Sequence, residues 1–132
     1  MKVEDVMTRN IISCSTHHTA YEVAKLMKDN RISSIVVCGG GNHLGIITEH
    51  DIIERVVSVG LNPKNISAGQ IMSHPLATID CRAEIEEAAR IMRDRKIKKL
   101  IVVESARIVG IVTSFDMIVA EPVIRLLAQR GI

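Results

Sequence analysis

The residues best placed to do chemistry lie in two short runs, Gly45-Ile46-Ile47-Thr48-Glu49-His50-Asp51 and Gly110-Ile111-Val112-Thr113-Ser114-Phe115-Asp116. In each, a β-branched stretch leads into a Thr and, three residues on, an Asp, the pattern of a strand passing into the first turn of a helix. Backbone N–H groups at a helix start attract phosphate, and a carboxylate beside them can accept both hydroxyl hydrogens of a ribose diol. One reading is therefore a nucleotide site made twice. A second needs no ligand: Thr-x-x-Asp is also a capping box, in which Thr48 and Asp51 satisfy each other's backbone donors. From the residues alone both readings stay open.

Other candidates are less organised. The run Arg90, Arg93, Arg95, Lys96, Lys98, Lys99 could clamp a polyphosphate or touch nucleic acid. It equally suits a solvated helix C-terminus, where cations meet the negative end of the dipole. The pair His17-His18 suggests no metal site, because adjacent residues seldom point to one ion and no Cys or carboxylate is spaced to complete a set. Cys14, Cys38 and Cys81 are far apart with no CxxC and read as buried free thiols. Ser and Cys nucleophiles lack a recognisable base partner, and no Walker loop or pair of acid/base carboxylates occurs, so no catalysis is expected.

The elements that must position these residues are repeated. Met7 falls on Met72 at an offset of 65 residues, and that register holds without a gap to Ile53 and Ile118. Each repeat opens with a short extended segment, Ile11 to Cys14 or Leu76 to Ile79. A helix follows whose apolar positions Ala20, Val23, Ala24 and Met27, or Ile85, Ala88, Ala89 and Met92, recur at the spacing of one buried face. Thr19 and Glu22 are spaced as its capping box. Two β-branched runs then flank a polar turn, Ile35 to Cys38 with Leu44 to Ile47, and Leu100 to Val103 with Ile108 to Val112, the pattern of hairpins. A second helix begins at Thr48 or Thr113, and the first of these ends at Gly60. The expected organisation is repeat one over 1–60, a linker over 61–65 and repeat two over 66–132. Neither repeat has enough helix to cover its own sheet, so the two are expected to pack about a pseudo-twofold axis as one α/β domain of β-α-β-β-α units.

Composition agrees with a buried globular protein: of 132 residues 47% are hydrophobic and 24% charged, with a mean hydropathy of +0.22. With no Trp, one Tyr and one Phe, the core must be aliphatic, and a nucleic-acid surface built on aromatic stacking is excluded. Seventeen basic and 15 acidic residues leave a net charge of +2, too little to imply a polyanion partner. No apolar run approaches the roughly 18 residues of a membrane span, and Met1 leads into Lys2, Glu4 and Asp5. The expectation is a cytoplasmic protein without a signal peptide.

The lead-in Asp5-Val6-Met7-Thr8, the segment Ile32-Ser33-Ser34-Ile35-Val36-Val37 and the run Gly45 to Asp51 resemble one CBS domain. Ile71-Met72-Ser73, Ile97-Lys98-Lys99-Leu100-Ile101-Val102 and Gly110 to Asp116 resemble a second, so the likeness spans nearly the whole chain. It implies a tandem pair, or Bateman module, that binds AMP, ADP, ATP or S-adenosylmethionine in clefts between its halves, forms a homodimer and regulates a partner protein. By the same resemblance Asp51 and Asp116 hold ribose, Thr48 and Thr113 contact sugar or phosphate, and Ile12, Ala77, Ser33 and Lys98 line the adenine pocket. Lys98 and Lys99 occupy a loop that faces ligand. Many relatives carry Arg just before the motif Asp, where this chain has His50 and Phe115, so the two sites are expected to differ, with Asp51 anchoring the better phosphate site. Two alternatives remain: an interaction and dimerisation module with vestigial nucleotide sites, and weak nucleic-acid binding through the basic second half. The C-terminal apolar stripe Val123, Leu126 and Leu127 follows a helix break at Pro122 and distinguishes none of these.

Overall fold

A computed structural model describes residues 1–120 of the chain. The elements run α1 (Val3–Val6), β1 (Ser13–Ser15), α2 (Ala20–Asn30), β2 (Ser34–Gly39), β3 (Asn42–Thr48) and α3 (Glu49–Ile52). They repeat as α4 (Ala68–Ile71), β4 (Thr78–Asp80), α5 (Ile85–Arg95), β5 (Lys99–Glu104), β6 (Arg107–Thr113) and α6 (Ser114–Ala120). A π-helical stretch, Ile53–Val57, continues α3, and a 3-10 turn, Pro63–Asn65, lies in the expected linker. Each repeat builds a three-stranded sheet of order β1-β2-β3 or β4-β5-β6. The first pair in each sheet is parallel, across α2 or α5, and the second is an antiparallel hairpin. The mixed α/β class and the duplicated unit are as expected, with the first strands displaced one or two residues toward the C-terminus. Pro122, Val123, Leu126 and Leu127 lie outside the described residues. Among those residues no helix is long and apolar enough to cross a membrane.

Local chemistry explains most boundaries. Thr19 caps α2: its Oγ1 accepts from Glu22 N–H at 3.1 Å, and Glu22 Oε1 accepts from Thr19 N–H at 3.0 Å. The Thr19 backbone donor holds the Glu22 carboxyl below its ordinary range. Both long helices stop at a residue in the left-handed conformation, Arg31 (φ 53°) and Lys96 (φ 55°). The first hairpin turns through Gly40 and Gly41, at φ 57° and 78°, which glycine adopts freely. The second turns through Ser105 and Ala106 at φ 49° and 66°, a conformation that costs an L residue roughly 1–2 kcal/mol.

The buried helix faces follow the periodicity with one correction. Ala20, Val23 and Met27 are buried on α2, and Ala88 and Met92 on α5, but Ala89 is exposed. At 100° per residue Ala89 sits about 80° round from the stripe centred on Ala88 and Met92, beyond the edge of the core contact.

The compact units do not coincide with the repeats along the chain. One comprises Ile12–Leu76, and the other Met1–Ile11 with the chain from Ala77 onward. Ala68 and Ile71 of α4 are buried among Cys14, Val23, Ile35, Val37 and Ile47 of the first repeat. Val3 of α1 is buried among Ile79, Ala88, Leu100, Val102 and Val112 of the second. Each lead-in therefore completes the core of the other repeat, which is why the units cross the expected 1–60 and 66–132 division. The lead-ins also extend the sheets: Ser73 and Ile46 exchange backbone hydrogen bonds of 2.8 and 3.0 Å, and Thr8 and Ile111 exchange bonds of 2.8 and 2.9 Å. That approach explains the glycine in the repeated block. A Cβ on Gly45 would lie 2.6 Å from Ser73 O, and one on Gly110 2.6 Å from Met7 Sδ and 2.8 Å from Thr8 O.

Gly45→Ala and Gly110→Ala are each expected to cost about 1–3 kcal/mol, the usual price of overpacking, as a lowered midpoint in denaturant unfolding. Unchanged midpoints would mean that the lead-ins do not pack against these strands.

Candidate functional site

In both units the chain leaves the last strand and enters a helix with Thr at the cap. Ser34 pairs with Thr48, and Lys99 with Thr113, at the ends of the hairpins. Thr48 N–H donates to Asp51 Oδ2 at 2.9 Å, and Asp51 N–H returns to Thr48 Oγ1 at 3.3 Å. In the second unit the corresponding distances are 2.9 Å from Thr113 N–H to Asp116 Oδ2 and 3.1 Å from Asp116 N–H to Thr113 Oγ1. The capping boxes are thus formed twice, and each uses Oδ2 of its carboxylate.

The second oxygen is where the units differ. Asp51 is only 6% exposed; its Oδ1 accepts from Ser73 Oγ at 3.4 Å and lies 3.8 Å from Arg55 Nη2. Arg55 Nη1 also donates to Ile71 O at 2.8 Å, tying the turn of α3 to the end of α4. At the equivalent positions of the other unit stand Ala120 and Thr8. Among the described residues no ion pair engages Asp116, which is half-buried. Its carboxylate is the more accessible of the two. Arg55 and Ser73 were not anticipated: the i,i+4 spacing of Asp51 and Arg55 is a readable signal, whereas Ser73 comes from 22 residues away.

The other expected residues gather at the same end of each sheet. Ser33 O accepts from Glu49 N–H at 3.1 Å, and Lys98 O from Ser114 N–H at 2.9 Å, so both adjoin the helix starts. Ile12 O accepts from Val36 N–H at 3.1 Å and Ala77 O from Ile101 N–H at 2.9 Å, where the first strand of each sheet begins. Ile12, Ser33, Thr48 and Asp51 are thereby brought together in one unit, and Ala77, Lys98, Lys99, Thr113 and Asp116 in the other. Ser33 and Lys98 are exposed, and Ile12, Ala77 and Lys99 half-buried. His50 is 78% exposed and pairs with Glu54, Nε2 to Oε2 2.8 Å. Phe115, its counterpart, is exposed and apolar. An open pocket of about 520 Å³ lies between the end of α2 and the start of α3, bordered by Met27, Arg31, Ser33, Glu49 and Ile53.

The three cysteines are free, with Cys14 and Cys81 buried and Cys38 half-buried. Burial pushes the Cys14 thiol up to about 11.

The chain is similar to known proteins over most of its length. The sequence profile of the CBS domain matches residues 3–58 and 68–122. An uncharacterized protein of Methanopyrus kandleri is 38% identical over 124 residues, which is 92% of this chain and 63% of that protein's length. The crystal structure of an uncharacterized conserved protein from Pyrococcus horikoshii superposes with a TM-score of 0.85 at 30% identity, covering 92% of both chains. A hexameric CBS-CP12 protein from bloom-forming cyanobacteria superposes with a TM-score of 0.84 at 25% identity, covering 89% of this chain and 66% of that one.

Two predictions follow from these contacts. Replacing Arg55 by Met removes a charge-assisted bond and the partner of a buried carboxylate, but the pair is long and half-exposed; the expected loss is about 1–2 kcal/mol in denaturant unfolding. Because the folded protein favours the neutral Cys14 thiol, stability should fall as pH rises from about 9 toward about 11. Cys14→Ala should make that part of the pH–stability curve shallower without abolishing the fall, because the Cys81 thiol is also pushed up to about 11.

Proposed function

The chain belongs to the CBS domain family, and from that membership we propose that it is a regulatory module which binds an adenine nucleotide at its Thr–Asp turns and acts on a partner protein without catalysing a reaction. The observation that carries this reading is the division of labour in the two carboxylates. Oδ2 of Asp51 and of Asp116 closes the capping box and immobilises the group. Oδ1 of Asp116 is the freer oxygen and can accept from a ribose diol, whereas Oδ1 of Asp51 already meets Ser73 Oγ at 3.4 Å and lies 3.8 Å from Arg55, so a diol there must displace the Ser73 contact. Capping and ligand binding are thus compatible roles of one side chain.

The ligand class is AMP, ADP or ATP, with S-adenosylmethionine the adenosyl alternative. The two turns suit different parts of it. Asp116 has the freer carboxylate for ribose, with Lys98 and Lys99 beside it as cations for phosphate. Asp51 has Arg55, 42% exposed, within 4 Å, and His50 once a phosphate draws it from Glu54. A ligand at Asp51 also adjoins the Ser73 contact with the lead-in. Binding that favours one setting of that contact would carry a signal, since equal affinity for both settings shifts nothing.

A second reading, a module for self-association, is favoured by the exposed apolar residues Ile53, Val57, Phe115 and Ile118, with Ile53 and Ile118 at equivalent repeat positions. A homodimer formed through these helices is compatible with nucleotide binding.

Calorimetric titration of the nucleotide-stripped protein with AMP, ADP, ATP and S-adenosylmethionine tests the proposal. Saturable micromolar binding of one ligand is expected, weakened in Asp51→Asn and Asp116→Asn with little change in melting temperature, because Asn still offers an oxygen to the Thr N–H. No heat, no co-purified adenine absorbance and an unchanged melting temperature would leave the interaction module as the function. Changing Lys98 and Lys99 together to Ala should weaken ATP more than adenosine; equal losses would remove their phosphate role.

A further inference from the structure

Three residues outside the Thr–Asp turns converge in the unit containing α1. Glu4 of α1, Cys81 just after β4 and Glu104 at the end of β5 each place one donor atom within 4.8 Å of the other two. Their positions are fixed by backbone bonds: Cys81 N–H donates to Val103 O at 2.9 Å, and Cys81 O accepts from Glu4 N–H at 3.0 Å. Cys81 is 1% exposed and its Sγ points to Glu104 Oε2 at 3.3 Å. Glu4 is half-buried and Glu104 exposed, so the cluster is open to solvent on one side. Among the described residues no ion pair engages either acid; Lys2, the nearest basic residue along the chain to Glu4, pairs with Glu84 instead.

The duplication supplies an internal comparison. The counterparts of Glu4, Cys81 and Glu104 are Gly69, Thr16 and Gly39. They make the same two backbone bonds, Thr16 N–H to Cys38 O and Gly69 N–H to Thr16 O, both 3.1 Å. A Cβ added to either glycine would meet the Thr16 side chain at 3.2 Å. The corner therefore closes without any acid or thiol, and the three donor side chains of the other unit are not required by its backbone.

We propose that Glu4, Cys81 and Glu104 form a site for a divalent transition ion, Zn²⁺ above all, with one thiolate, two carboxylate ligands and a fourth position open to water. The ligand set selects the ion, because a thiolate favours Zn²⁺ over Mg²⁺ or Ca²⁺ while carboxylates complete a tetrahedral shell. Zn–S of about 2.3 Å and Zn–O of about 2.0–2.2 Å place tetrahedral ligand atoms about 3.3–3.7 Å apart, and the three donor atoms here lie within 4.8 Å of one another. Burial, Glu104, Glu4 and Asp80 push the Cys81 thiol up to about 11 in the metal-free protein. The ion must displace that proton to solvent, Cys–SH and M²⁺ giving Cys–S–M⁺ and H⁺, so binding strengthens as pH rises. An ion here would pin the α1 lead-in to β4 and β5.

The test is titration of the metal-stripped full chain with Co²⁺, followed by Zn²⁺. A thiolate-to-cobalt charge-transfer band is expected at one equivalent, displaced by Zn²⁺ and absent in Cys81→Ser. Glu104→Gln changes an exposed residue and so keeps the fold; it should leave the metal-free melting temperature unchanged, weaken Co²⁺ by about 10- to 100-fold, and abolish the rise in melting temperature that Zn²⁺ gives the unmodified chain. The proposal is overturned by the absence of a charge-transfer band, by the same band in Cys81→Ser, or by undiminished affinity in Glu104→Gln.

Discussion

At Gly45 and Gly110 another segment of the chain comes so near that a methyl group would sit inside its atoms. That close approach lets Ser73 and Thr8 bond to the outer strands β3 and β6, where an unpaired edge would otherwise face other molecules. It also brings Val3, Ala68 and Ile71 into the cores. A unit of this size buries too small a fraction of its surface to spare those residues, so neither repeat's sheet is complete without the other repeat's lead-in.

The same constraint reaches the Thr–Asp turns. In the first repeat Ser73 and Arg55 link the Asp51 carboxylate to the end of α4, and the turn is thereby coupled to the segment that closes the sheet edge. In the second repeat Thr8 and Ala120 stand at those positions, and Asp116 keeps a more open carboxylate. Two turns of one backbone design thus differ in charge and access through their neighbours.

Divergence on a conserved backbone recurs through the molecule. Gly40 and Gly41 in one hairpin turn become Ser105 and Ala106 in the other, all four at positive φ. His50 becomes Phe115. Thr16, Gly39 and Gly69 become Cys81, Glu104 and Glu4 around unchanged hydrogen bonds. Main-chain bonds hold the repeats alike, and side chains that those bonds do not need are free to take on separate chemistry.

The residue order alone disclosed the duplication, the α2 and α5 periodicity, the Thr19 capping box, both hairpins and both Thr-x-x-Asp turns. These depend on contacts within a few residues of one another, or on a repeat register, and both are written directly in spacing. The capping and ribose readings of Asp51 and Asp116 could not be separated there, because both ask for the same residues at the same positions. Only the tertiary structure showed that Oδ2 of each carboxylate caps its helix, and that Oδ1 of Asp51 meets Ser73 and Arg55 while Asp116 is engaged by no ion pair among the described residues. Tertiary packing likewise decided the exchange of lead-ins, the exposure of Ala89, the partner of His50 and the meeting of Glu4 with Cys81 and Glu104. Each follows from which surfaces close on one another and which side chains then lie within reach, information that no local pattern contains.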